Sequence, residues 1–468
     1  MRKQALPAAV FLQTYPADPD FPQLEIATDA ALMLEVFRAH LKPVAGTAYH
    51  IQDCTPFRFR CRQSTSRCVL QYTLRVVEPA TGRRWDQWVT GLLYAEDGAA
   101  ERLWHEMRAG DPSGQVPASC LTFEPVAFIP DLRMVVQVFP YDRRLPQLAR
   151  VMDGALGALE PLLLARLGPG RWHGAPPTIE PTRYRTELGA ALRYTMPARE
   201  AGTARTETLR CYLKVYRNEH GGETFRLLRS LSGRAGAGRG PYSVVAPIAY
   251  LSGLRTLVLE EARGVPLQQV LLQDADPAAA VRAVARAAAA FNQDDLGIVP
   301  PHSLADQLDD VQRAASLVQW ACPHVGAETQ SIAAAVVAGL EDVPPAPIHR
   351  DLKPDHIFLS GDRVIFIDLD AVALGDPVRD PAHLFAHIAA GVGLDSLPRE
   401  QARTAAAAFA DEYFAHVPKE WCRQFSLHCA GALIEVAGGM FKRQEPQWRA
   451  KVTAAVAEAS RALSGRWQ

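Results

Sequence analysis

Shifted against itself by 122 residues, the chain aligns its 70s–140s with its 190s–260s without a gap. Leu70, Tyr72 and Thr73 fall on Leu192, Tyr194 and Thr195, and Tyr94 and Glu101 fall on Tyr216 and Glu223. Pro125, Ala127, Leu132, Arg133 and Val136 fall on Pro247, Ala249, Leu254, Arg255 and Val258, and Leu145 falls on Leu267. Both stretches carry the same order of expected elements: a strand with Tyr, a strand ending in Tyr, a short helix and a Pro-led strand pair. Such a repeat restricts the fold to two related supersecondary units in tandem.

The second copy is the clearer one. In Arg210–Tyr216, Tyr212, Lys214 and Tyr216 share one strand face while Cys211, Leu213 and Val215 share the other. Gly221 and Gly222 are expected to break the chain, and Phe225, Leu228 and Leu231 then have helical spacing over 223–231. The run Gly236-Ala-Gly-Arg-Gly240 follows a helix rather than a strand, so it reads as a surface loop and not a phosphate cradle. Two strands in VVAPIAYL and LRTLVLEE meet at Ser252-Gly253. The Pro- and Gly-rich stretch 168–181 is the expected linker between the copies.

Beyond Gly264 the composition turns helical, with one embedded β-hairpin over 356–368 turning at Ser360-Gly361-Asp362. The 468 residues suffice for two or three domains. With 50 basic and 51 acidic side chains, no overall field favours nucleic acid or an anionic membrane. No apolar run is long enough to span a bilayer. The first twenty residues read as a plain start rather than a signal peptide. Eight scattered cysteines lack a C-x-x-C pair, and Cys54, Cys61 and Cys68 have no neighbouring His to complete a zinc set. Free thiols in a reducing cytoplasm are expected.

The chemistry concentrates in IHRDLKPDHIFLSGDRVIFIDLDAVALGDPVRDPAHL, residues 348–384. Asp351 follows His349 by two, and the hairpin brings Asp368 back beside the loop. An acid that accepts a hydroxyl proton, with a metal-holding acid on the following strand, is the arrangement phosphoryl transfer requires. This segment resembles the catalytic half of the aminoglycoside phosphotransferase and choline kinase family, whose fold is that of the protein kinases. The family pattern H-G-D-x-x-x-x-N, then a strand ending in Asp and a G-D-P-x-x-D run, corresponds to His349, Asp351, His356, Asp368 and 375–380.

The resemblance covers about the last 280 residues. It implies ATP as donor, Asp351 as catalytic base, and Asp368 and His356 as metal ligands. Lys214 would grip the nucleotide phosphates, and Glu223 is the helical acid able to orient it. Glu260, Glu261 and Ala262, in VLEEARGVPL, would form the adenine hinge. The Asn of the family pattern is His356 here, a poorer Mg²⁺ ligand than an amide oxygen. It would ligate through one ring nitrogen, favour Mn²⁺, or leave the ion to Asp368 and phosphate. Asp376 and Asp380 are expected to be structural. Asp370 is a further acid beside the metal or a solvated turn residue. Lys353 gives HRDLKP a protein-kinase look, but no D-F-G or A-P-E follows.

The expected fold is therefore α+β and protein kinase-like, with a β-rich N-lobe (176–264) and a helical C-lobe (265–468). An additional N-terminal β-rich domain (1–175) looks like a degenerate N-lobe repeat. Leu92 stands where the offset predicts a partner for Lys214, so this copy has no cation for phosphate. The expected activity is phosphate transfer to a hydroxyl of a small molecule in the cytoplasm, without nucleic-acid or membrane partners. A catalytically impaired pseudokinase acting as a nucleotide-binding or scaffold protein is the alternative. The acceptor, and any protein partner of the N-terminal domain, stay open. Phe385, His387, Trp421, Phe425 and Met440 line the acceptor pocket or belong to the core.

Overall fold

The computed structural model describes residues 15–44, 46–61, 67–154, 156–235, 240–274, 276–297 and 299–465. Most of the expected plain start, and residues 236–239 of the Gly-rich loop, lie outside the described residues. The chain is α+β, with a β-rich N-terminal region and a helical C-terminal region.

The first antiparallel sheet comprises β1 (His50–Cys61), β2 (Arg67–Val77), β3 (Arg84–Tyr94), β4 (Val126–Ile129) and β5 (Met134–Val138), in the order β1-β2-β3-β5-β4. The second comprises β6 (Trp172–Gly174), β7 (Thr178–Arg185), β8 (Gly189–Glu200), β9 (Thr206–Tyr216), β11 (Pro247–Leu251) and β12 (Thr256–Glu260). Its order is β11-β12-β9-β8-β6, with β7 also on β8. The stretch 168–181 is thus no linker: its Trp172 and Thr178 begin strands that hydrogen-bond to β8.

The sheets repeat one another at the 122-residue offset: β3 falls on β9 and β5 on β12, residue for residue. Each copy inserts a helix after the Tyr-ending strand, Ala99–Ala109 in the first and His220–Ala235 in the second. Arg133 and Arg255 both adopt left-handed backbone, at φ 44° and 43°. Their carbonyls accept from the Tyr94 N–H at 3.1 Å and the Tyr216 N–H at 2.9 Å. A left-handed arginine costs about 1–2 kcal/mol, so the same strained corner in both copies reflects a shared supersecondary unit rather than local preference. Leu92 is fully buried on β3 among Val69 and Val135.

Gly221 and Gly222 do not break the chain. They lie in the first turn of the helix His220–Ala235. A Cβ on Gly221 would sit 2.6 Å from the Tyr216 ring and 2.9 Å from the Tyr250 ring, so glycine lets this helix approach the sheet.

The helical region follows. Leu304–Ala321 starts with a capping box between Ser303 and Asp306, and Phe425–Lys442 runs through its core with thirteen buried residues. A four-stranded sheet joins the two regions. Its centre is the hairpin of β15 (Ile357–Ser360) and β16 (Arg363–Phe366). β10 (Tyr242–Val244) pairs with β16, and β13 (Val265–Pro266) with β15. Among the described residues, no helix is long and apolar enough to cross a membrane. The seven cysteines with described side chains are free thiols.

The first sheet clasps the β7–β8 turn. Buried Asp142 accepts the Tyr184 hydroxyl at 2.8 Å and the Glu187 N–H at 2.7 Å. The Thr90 and Thr186 hydroxyls lie 2.6 Å apart in the same buried seam. Asp142→Ala strips two buried donors of their acceptor and is expected to destabilise the protein by about 2–5 kcal/mol. Urea unfolding measures this, and an unchanged midpoint would mean that the clasp contributes little.

Candidate active site

Residues 349–351 bridge two secondary elements. β14 (Ala346–Ile348) ends at the loop, and the helix Arg379–Ala389 delivers Asp380 beneath it. Asp380 accepts the N–H groups of His349 at 2.6 Å and Arg350 at 2.9 Å, and the Asn292 amide at 3.0 Å. Arg350 has φ 67°, the left-handed region that favours glycine, at the position of the Gly in H-G-D. Two carboxylate-held N–H groups keep this strained turn in place.

Asp351, His356 and Asp368 offer ligand atoms that all lie within 4.8 Å of one another. Lys353 Nζ donates to Asp351 Oδ2 at 3.0 Å. Burial opposes the charge on Asp351, but Lys353 above all holds its carboxyl down at about 2. His356 Nδ1 lies 3.0 Å from the Asp351 carbonyl oxygen. A carbonyl only accepts, so this contact assigns the proton to Nδ1 and leaves the Nε2 lone pair facing Asp368 Oδ2 at 3.3 Å. Two acceptors facing each other at that distance suit a shared cation. Burial and Lys353 keep the His356 imidazole less basic than usual.

Asp368 has φ 62° where β16 turns into a single helical turn, which aims its carboxylate at the second sheet. Lys214 on β9 donates to Asp368 Oδ1 at 2.6 Å and to Asp370 Oδ2 at 2.7 Å. Burial opposes the Lys214 charge, yet the two carboxylates raise its pKa above the ordinary lysine value. Burial likewise opposes the Asp368 charge, while Lys214 holds its carboxyl far below the usual range. The Tyr216 hydroxyl donates to Asp370 Oδ1 at 2.8 Å.

These groups edge a cleft of about 210 Å³ between the second sheet and the loops that carry Asp351 and Asp368. Lys214, Asp351, Asp368 and Asp370 line it, together with Arg183 and Arg185 from β7. Arg183 Nη1 lies 3.3 Å from Asp368 Oδ2.

Other sequence expectations fall elsewhere. Glu223 does not reach Lys214: the helix starts only six residues past the lysine, so Glu223 sits in its exposed first turn, 3.2 Å from His220 Nδ1. His220 Nε2 in turn contacts the Asp370 carbonyl at 2.8 Å, and Asp370 takes the lysine-pairing position. Glu260 ends β12 in an ion pair with Arg166, and Glu261 Oε2 lies 4.0 Å from Arg210. Ala262 is half-buried, and none of the three lines the cleft at Lys214. Phe385, His387, Phe425 and Met440 are buried core. Asp370 answers the question left open by its spacing. Arg183 and Arg185 escaped notice because their alternation along β7 resembles any exposed strand face.

Residues 212–421 match the phosphotransferase enzyme family, APH. The resemblance read from the catalytic loop is thereby borne out, as is a kinase-like α+β fold for this part of the chain. Solved structures with a similar course include the ethanolamine kinase of Plasmodium vivax, 9% identical, covering 62% of this chain and 84% of that one at a TM-score of 0.40. The ADP-bound aminoglycoside phosphotransferase APH(2'')-Ib is 14% identical, covering 65% and 97% at 0.38. A choline/ethanolamine kinase family protein from Mesorhizobium loti is 13% identical, covering 67% and 97% at 0.40. No curated protein matches this chain in sequence.

Proposed function

We propose that the protein moves the γ-phosphate of ATP to a hydroxyl of a small molecule. The observation that carries this reading is the convergence of Asp351, His356 and Asp368, with Lys214 reaching Asp368 from the opposite wall. Asp351 orients the acceptor hydroxyl and takes its proton as the new O–P bond forms and the bond to the β-phosphate oxygen breaks, releasing ADP. Lys214, Arg183 and Arg185 face the transferred charge. Positioning and electrostatics supply most of the acceleration, since phosphoryl transfer leaves little covalent work to the protein.

The donor set fits a divalent cation: two carboxylates and an imidazole whose free lone pair faces one of them. Imidazole favours Mn²⁺ over Mg²⁺. When bound, the ion would neutralise developing phosphate charge. The imidazole in place of the family's Asn also favours a second reading, a nucleotide-binding pseudokinase. A metabolite-library screen for ATP consumption, run with Mg²⁺ and with Mn²⁺, separates the two. The kinase reading expects an acceptor-dependent turnover that is higher with Mn²⁺. Nucleotide binding without turnover under either ion supports the pseudokinase.

A further inference from the structure

The strained arginine corner of each copy also holds the start of the helix inserted after the Tyr-ending strand. Arg255 Nε donates to Glu219 Oε1 at 2.9 Å, and its Nη1 donates to the Arg217 carbonyl at 2.9 Å. At the 122-residue offset, Arg133 Nη1 lies 2.9 Å from Asp97 Oδ1 and donates to the Ala95 carbonyl. One residue further on, the copies part. His220 opens the helix in the second copy, and Gly98, at φ 74°, stands at that place in the first. They differ at Lys214 too, where the first copy has Leu92. The corner and its helix therefore form without a histidine. The imidazole occurs only in the copy whose lysine meets Asp368.

His220 Nε2 lies 2.8 Å from the Asp370 carbonyl oxygen. A carbonyl only accepts, so Nε2 carries the hydrogen, which the neutral ring and the imidazolium can both supply. The Tyr216 ring meets the imidazole edge-on at 6.2 Å, and the close approach that Gly221 allows keeps the helix start against that ring. Asp370 is thereby gripped at all three of its oxygens. His220 holds the carbonyl, the Tyr216 hydroxyl holds Oδ1, and Lys214 holds Oδ2. Asp370 lies in the single helical turn Leu369–Ala371, which follows the left-handed Asp368 directly. So short a turn closes few hydrogen bonds of its own. Contacts from outside it decide where its carboxylates point.

We propose that His220 is a positioning residue for the cleft: its hydrogen bond to the Asp370 carbonyl locks the turn that carries Asp368 and Asp370, and so keeps Lys214 between the two carboxylates. The helix His220–Ala235 thus reaches the lysine's partner through the main chain, a link that Glu223 in its exposed first turn does not make. The effect on turnover rests on the phosphotransfer reading, whereas the hold on Lys214 does not.

The test compares His220→Ala with His220→Gln, whose amide N–H reaches about as far as Nε2. His220→Asn, one methylene shorter yet well suited to a helix start, replaces the alanine variant if that one does not fold. Labelling of Lys214 by an amine-reactive reagent, and amide exchange over 368–372, are read by mass spectrometry on the full chain without metal or nucleotide. Both should rise severalfold in His220→Ala and return to the parent level in His220→Gln. Where the parent turns over, kcat should fall about tenfold in His220→Ala and recover in His220→Gln, with the acceptor KM little changed. Unchanged labelling and exchange overturn the proposal whatever the turnover, and so does a glutamine variant that restores neither. A parent without turnover whose Lys214 labelling still follows residue 220 supports the hold on the lysine and removes the phosphotransfer reading.

Discussion

Asp351→Asn is expected to lower kcat by about 10²- to 10⁴-fold, with little change in nucleotide affinity. The amide keeps the shape of the carboxylate but cannot take the acceptor's proton. It also presents a neutral group to Lys353, which now donates to Asp351 Oδ2. Because Asp351 makes no contact with Lys214, whose partners are Asp368 and Asp370, the nucleotide side of the cleft should be undisturbed. Steady-state kinetics beside a nucleotide titration measures the two effects separately. A variant that turns over at the parent rate would remove Asp351 from the chemistry.

Asp368→Asn should be equally severe for a different reason. This carboxylate meets the cations Lys214 and Arg183 and faces the His356 Nε2 lone pair at once. Without its charge, the pair formed with His356 loses its claim on a divalent ion. Turnover with Mg²⁺ or Mn²⁺ should drop about 10³-fold. Asp370→Asn is the control: Asp370 also holds Lys214 but lies outside the trio that gathers around His356. It should cost only about tenfold. Equal losses in the two variants would mean that lysine positioning, rather than metal binding, is the function of Asp368.

Much of this could be read from the residues because the information was local or periodic. His349, Asp351 and Asp368 lie on one loop and the hairpin that follows, so a motif and a strand–turn–strand return suffice to bring them together. The offset of 122 residues survives because each copy must rebuild the same strained Arg corner and the same Tyr-ending strand. Glu223 was suggested by the resemblance despite its short spacing from Lys214, and that spacing leaves it in the exposed first turn of the helix. Gly221 and Gly222 misled because glycine signals a break from sequence alone, while here it admits two tyrosine rings. The grip of Arg67 on Glu187 had no signature at all: the partners are 120 residues apart, one on a strand of the first sheet and the other in a turn of the second. Asp370 was visible but ambiguous, since a carboxylate at the end of a strand says nothing about which lysine will meet it.

The aromatic seam of the first sheet has a mechanical consequence. The Phe59 ring on β1 stacks on Trp320 at 5.7 Å and meets Phe441 at 5.2 Å, both on helices of the C-terminal region. The segment that leaves the same sheet after β5 holds the β7–β8 turn through Asp142. The first sheet and the segment after it are therefore joined both to the helical region and to the turn beside the cleft. Opening between those walls would have to break the ring contacts or the hydrogen bonds that Asp142 makes to the turn.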